Sequence, residues 1–107
     1  MKAFKGFDKD LKCRDFQYEV GKTYETDSAK LCESGFHACE HPLDVFSYYP
    51  PAGSRFAEVD LDATDETKED DTKRVGKKIT IKAELNLQGI IQAAVDFVFT
   101  QSDKKKK

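Results

Sequence analysis

The sequence predicts an α+β domain, with a small mixed or antiparallel sheet of about five short strands carrying one short central helix and one longer C-terminal helix. Three observations predict it. Residues 55–61 and 77–85 alternate apolar and polar side chains, with Ala57, Val59 and Leu61 on one face of the first and Ile79, Ile81 and Ala83 on one face of the second. From Asn86 the period changes, and Leu87, Ile90, Ile91, Ala94, Val95 and Val98 recur at three and four, the spacing of a helix face. Between them, residues 34–51 (SGFHACEHPLDVFSYYPP) compress a strand, a proline corner and a short helix into one unit that ends on a double proline.

Residues 1–7 alternate through FKGF as a short strand with a glycine placed for a bulge or a close approach. Asp8 to Asp10 form a turn, and Leu11 to Asp15 fit no single pattern. Phe16, Tyr18 and Val20 alternate with Gln17 and Glu19 as a second extended segment, and residues 22–25 as a third. In the strand 36–40, Phe36 and Ala38 fall on one face and His37 and Cys39 on the other, because side chains alternate across a strand. Pro42 suits a first helical turn, after which Leu43, Phe46 and Tyr49 share one side while Asp44 and Ser47 face outward. Residues 62–73 (DATDETKEDDTK) hold no large apolar side chain and are expected to form a long mobile loop between two strands. Asn86 is placed as the N-cap of a helix reaching about Phe99. One globular domain over residues 1–101 is expected, with 102–107 a lysine-rich frayed tail.

A chain of 107 residues supports one modest core, and 36% charged against 38% hydrophobic residues describes a folded chain with a heavily solvated surface. No apolar run reaches the length of a membrane span and the first residues lack a signal-peptide core, so a cytoplasmic location without membrane contact is expected. A net charge of −2 gives no basis for direct nucleic-acid binding. Cys13, Cys32 and Cys39 are an odd number of thiols, which argues against a disulfide framework.

Cys32, His37, Cys39 and His41 match no common zinc module, and alternate residues of a strand do not converge on one tetrahedral ion, so no metal is expected. A nucleophilic Cys39 with His37 as base is disfavoured, since Cβ atoms two apart on a strand lie ~6–7 Å from each other. Tyr48, Tyr49, Pro50 and Pro51 make an aromatic and proline surface fit to stack on a ring or anchor a partner. Asp62, Asp65, Glu66, Glu69, Asp70 and Asp71, together with Glu58 and Asp60, read either as a solvated connection or as a phosphate-like array for a basic groove.

Two resemblances follow from longer stretches. The runs KAFKGFDKDLKCRDFQYEVGKTYE, CESGFHACEHPLDVFSYYPPAGSRFAEVDL and KKITIKAELNLQGIIQAAVDF resemble an uncharacterised domain carried by bacteriophages and prophages, over nearly the whole chain. That resemblance implies a phage context and no known activity. The succession GFHAC, HPLDVFSYY and RFAEVDL is similar to the heart of the ADP-ribosyltransferase fold, with FKGF where those enzymes carry the strand that clamps NAD. By that resemblance Lys5 and Gly6 contact NAD, His37 stands in for the ring-stacking tyrosine or its neighbouring serine, and Tyr48 or Tyr49 lines the nicotinamide pocket. The catalytic glutamate would be Glu84, or after it Glu58. The sequence departs from the family at three points: Lys5 replaces an arginine fork, Ala38, Cys39 and Glu40 replace the hydroxyl run, and neither glutamate sits in a Glu-x-Glu or Gln-x-Glu motif.

Two functions stay open. The first is a phage or mobile-element accessory protein, without a cofactor, that binds a host protein or nucleoprotein complex and inhibits a host defence through residues 48–51 and the acidic loop. The alternative is an NAD-binding ADP-ribosyltransferase-like enzyme or a degenerate relative that uses Lys5, Gly6, His37 and Tyr48 for NAD and Lys5, His37 and Glu84 for catalysis.

Overall fold

The computed structural model describes the backbone of residues 1–105 and the side chains of residues 1–101. Seven strands, a 3₁₀ helix and one α-helix follow in the order β1 (Lys2–Phe7), β2 (Lys12–Cys13), β3 (Phe16–Gln17), β4 (Thr23–Glu25), β5 (Phe36–Cys39), the 3₁₀ helix (Pro42–Ser47), β6 (Arg55–Ala63), β7 (Lys73–Leu85) and α1 (Leu87–Lys105). The main sheet has the order β4-β7-β5-β1-β6, and a further β7–β6 pairing brings the last strand back to β7, leaving β4 outside the closure. Every pairing is antiparallel. Strands β1, β6, β7 and β5 therefore close a four-stranded, barrel-like ring. The closure depends on the 13 residues of β7, which pairs β5 through residues 73–76 and β4 through 78–80 on one edge while β6 runs along the other. Two register shifts, between Glu58 and Val59 and between Asp62 and Ala63, supply the bends that closure requires.

Each face of the ring buries its own cluster. Ala3, Phe7, Ala57, Val59, Leu61, Ile79 and Ile81 fill the inside, joined by Leu11, Tyr18, Phe36 and Ala38. On the outside, Phe4, Cys39 and Phe56 pack against Val45 of the 3₁₀ helix and Ile90 of α1. Strand β1 serves both clusters, which is why five successive residues of it are buried. α1 starts on the expected cap, since the Asn86 side-chain oxygen accepts from the Gly89 N–H at 2.8 Å. Among the described residues no helix is long and apolar enough to cross a membrane.

Several expectations need correction. Of the mixed and antiparallel sheets expected the antiparallel one forms, but β6 and β7 are not short, and a second two-stranded sheet, β2-β3, stands apart from the main one. The segment 16–20 is extended only at Phe16–Gln17, and of its three apolar residues only Tyr18 is buried, with Phe16 and Val20 exposed. The central helix is 3₁₀ rather than α. Pro42 and Val45, three apart and therefore on one face of a 3₁₀ helix, are its buried residues, while Leu43 is exposed and Phe46 only half-buried, so the apolar side expected at Leu43 and Phe46 is not the one that packs on the sheet. Ala83 is exposed, because the shift at Glu58/Val59 turns the end of β7 over, and Leu85 joins the outer cluster instead. α1 runs past Phe99 to Lys105, so residues 102–105 of the expected tail are helical, and 106–107 lie outside the described residues.

Candidate functional site

β1 and β5 share a single register pair, Phe4 with Cys39. Past it the two strands part, and the carbonyl of His37, on the β5 side of the gap, accepts from the side chain of Lys5 at 2.7 Å. The parting opens a cleft of about 330 Å³. Lys5 and Gly6 line it from β1, His37 and Cys39 from β5, Cys13 and Arg14 from the β2–β3 turn, Val45, Tyr48 and Tyr49 from the 3₁₀ helix and its end, and Lys73 from the start of β7.

Local backbone geometry puts these groups in place. Gly6 has no side chain because Tyr49 occupies that space, and a Cβ there would stand 2.7 Å from the tyrosine ring. Arg14 and Asp15 both hold positive φ (52° and 65°), the two-residue turn that matches the twist of paired strands, and Arg14 thereby reaches the cleft. Cys32 (φ 64°) and Gly35 (φ 85°) shape the approach to β5, so that the Cys32 N–H donates to His37 Nε2 at 2.8 Å.

Lys5 is 5% exposed and points the same way as Ala3 and Phe7, with its ammonium 5.8 Å from the Phe7 ring centroid and 5.4 Å from that of Tyr18. Among the described residues no carboxylate pairs with it. Burial lowers its pKa, the nearby Cys13 thiol partly offsets that, and Lys73 adds to it. His37 is pushed down to about 4, first by burial and then by Lys73, Lys5 and Arg14. Its Nε2 is already a hydrogen-bond acceptor, so the ring is neutral at pH 7. Tyr49 donates to Cys13 Sγ at 3.1 Å, and burial raises its pKa. Burial also pushes Cys39 up to about 12.

Tyr48 stands at the rim. Lys73 Nζ lies 4.1 Å from its ring centroid and Lys68 Nζ lies 5.6 Å from it. Its hydroxyl donates to Asp71 and accepts from Lys68, and burial together with Asp71 raises its pKa to about 12.

Of the residues singled out from sequence, Lys5, Gly6, His37, Tyr48 and Tyr49 line this one cleft. Pro50 and Pro51 are exposed and do not line it. Glu84 is elsewhere, held by Arg55 in two hydrogen bonds of 2.7 Å that also lower its pKa, and Glu58 pairs with Lys2 at 3.6 Å. The acidic loop, residues 64–72, is tied to the body. Glu66 accepts from the Leu31 N–H, Asp71 from Tyr48 and the Lys73 N–H, and Arg74 reaches the carbonyls of Thr64 and Glu66. Asp62, Asp65, Glu69 and Asp70 are exposed. Sequence reading missed Cys13, Arg14, Tyr18 and Lys73. The Lys12-Cys13 and Phe16-Gln17 pairs around two central residues were a hairpin signal, but Arg-Asp lacks the glycine that usually marks such a turn.

Residues 1–93 match the family model of a domain of unknown function, DUF7666. This chain belongs to the DUF7666 family. No curated protein matches it, and no solved structure does. The matched region of DUF7666 spans the whole barrel, the 3₁₀ helix and the cleft, together with the first part of α1.

Proposed function

We propose that this DUF7666 protein binds an anionic small molecule bearing a flat ring, of the nucleotide class, in the cleft between β1 and β5. One observation carries the reading: the charged residues lining the cleft are Lys5, Arg14 and Lys73, with no carboxylate among them, and aromatic rings stand beside them. Arg14 and Lys73 are cations that no lining carboxylate answers, and a ligand phosphate or carboxylate would pair with them. Tyr48 and Tyr49 offer rigid faces for a ring, and the volume is at the small end of the ~300–1,000 Å³ usual for ligand sites. NAD is one such ligand, and the sharing of one cleft by Lys5, Gly6, His37 and Tyr48 supports it as a candidate. Glu84 and Glu58 lie outside the cleft, which supports binding over transfer of ADP-ribose.

The test is a thermal-shift and calorimetric titration with ADP, NAD and inorganic phosphate. The expected result is stabilisation that weakens as salt rises and is lost in Arg14→Glu and Lys73→Glu. A flat melting temperature with all three ligands at millimolar concentration would overturn the reading.

A second reading keeps the host partner, a protein or nucleoprotein complex engaged by a phage-derived inhibitor. Its support is the exposure of Tyr48 at the cleft rim, of Pro50 and Pro51 after it in the chain, and of Asp62, Asp65, Glu69 and Asp70. Glu66 and Asp71 are engaged within the chain and are left out of it. A pull-down from bacterial lysate should recover one dominant partner whose retention falls when the exposed acids are neutralised. Retention indifferent to those changes and to salt excludes the acidic array.

A further inference from the structure

We propose that Lys5 is an imine-forming amine, and that the cleft takes anionic compounds carrying an aldehyde or ketone group. This rests on the anionic-ligand reading above and assigns the lysines different tasks: Arg14 and Lys73 hold the anion, and Lys5 meets the carbonyl carbon.

Three features place Lys5 in that role. It lines the cleft yet is 5% exposed, and its nitrogen lies 5.4 Å from the ring centroid of Tyr18, which lines the same cleft. Its one hydrogen bond to oxygen is donated to the His37 carbonyl at 2.7 Å, which fixes the nitrogen between the parted strands without forming an ion pair. Lys73 is a second cation lining the same cleft, and burial with a cationic neighbour is the arrangement that leaves a lysine nitrogen free of its extra proton and nucleophilic. Cys13 and Cys39 are the thiols whose charge bears on Lys5, in the opposite sense to Lys73, and both line the cleft with Tyr18, Tyr49 and His37.

The neighbours also supply proton traffic. Tyr49 donates to Cys13 Sγ at 3.1 Å, and Cys13 lines the same cleft as Lys5. In the step itself, the Lys5 nitrogen lone pair attacks the carbonyl carbon and the C=O π electrons move to oxygen, giving a carbinolamine. Both amine hydrogens then leave with that oxygen as water, Cys13 passing a proton to the oxygen and regaining one from nitrogen, and a C=N bond remains. No oxidant or reductant is needed.

The experiment uses the full chain at pH 7 with pyridoxal 5′-phosphate and, separately, glyoxylate, each followed by borohydride, which reduces an imine to a stable secondary amine. Peptide mapping should place most of the adduct on Lys5, above any other single lysine of the chain. Lys5→Met should abolish it. The mapping is made on the unaltered chain, so it decides the matter even if that variant does not fold. Pyridoxine 5′-phosphate, which lacks the carbonyl, serves as the binding control. If it stabilises the protein while pyridoxal 5′-phosphate leaves no preferred adduct on Lys5, the imine role is overturned and the anion cleft stands. If neither ligand stabilises or labels the chain, both fall.

Discussion

His37 is neutral in the folded chain for a reason the folded chain creates. Its pKa falls from the ordinary 6.5 to about 4 through burial and three nearby cations. Between those values the unfolded chain binds more protons than the folded one, so stability is full above about pH 6.5 and is lost as pH falls toward 4. His37→Gln keeps an acceptor for the Cys32 N–H and removes the titration. Its melting temperature is expected to fall less than that of the unaltered protein between pH 6.5 and 4.5, and parallel curves would refute a neutral His37. Asp60, Asp71 and Glu84 also have lowered values and add to acid sensitivity in both proteins, so the comparison isolates the histidine. Two glycines make a second test at this scale. A Cβ at Gly76 would lie 2.3 Å from the Asp62 carbonyl oxygen, which is backbone held in the β6–β7 ladder, whereas a Cβ at Gly6 meets the ring of Tyr49, a side chain that can move. Gly6→Ala should cost ~1–3 kcal/mol in urea melts and close the cleft to ligand, while Gly76→Ala should cost more, because the backbone has nowhere to go.

At the scale of elements, the β2–β3 hairpin carries its strain at the cleft. Arg14 and Asp15 occupy a left-handed region that costs an L-residue roughly 1–2 kcal/mol relative to glycine. Asp15→Gly should therefore raise stability by about 1 kcal/mol in urea unfolding while leaving the cleft lining intact. α1 shows why spacing alone misjudges a helix. Ile90 is fully buried against the outer face of the sheet and Ile91, its neighbour, is 51% exposed, although both belong to the same run of threes and fours. Ile90→Ala should cost ~2–5 kcal/mol and Ile91→Ser less than about 0.5 kcal/mol, read from the same melts.

At the scale of the molecule, the ring and the cleft are two consequences of one topology. β7 is paired along both edges and shuts the ring, while β1 and β5 meet at one residue pair and leave it open there. The acidic connection is fastened to the body by Arg74, which contacts Thr64 and Glu66 carbonyls and the Glu40 carboxylate, and by Asp44, which accepts from Thr72. Arg74→Ala should make residues 64–72 cleavable in limited proteolysis at protease levels that spare the unaltered chain. Arg74→Lys should not restore protection, since an ammonium cannot reach three acceptors as a guanidinium fork does.

Local pattern was enough for the α+β class, for the cores of β6 and β7, for the Asn86 cap and for the opposed faces of β5, because each depends on residues within one or two turns or on strict alternation. It also singled out Lys5, Gly6, His37, Tyr48 and Tyr49, side chains whose chemistry stands out in any context. Tertiary structure alone decided that these five line one cleft, that Cys13, Arg14, Tyr18 and Lys73 join them, and that Glu84 is spent on Arg55. The same holds for the closing of the sheet, since register shifts and a pairing between strands far apart in the chain leave no mark on periodicity. Charge in the cleft is likewise a property of assembly: a lysine in FKGF is an ordinary solvated residue until a ring of strands takes it out of water and supplies no carboxylate to meet it.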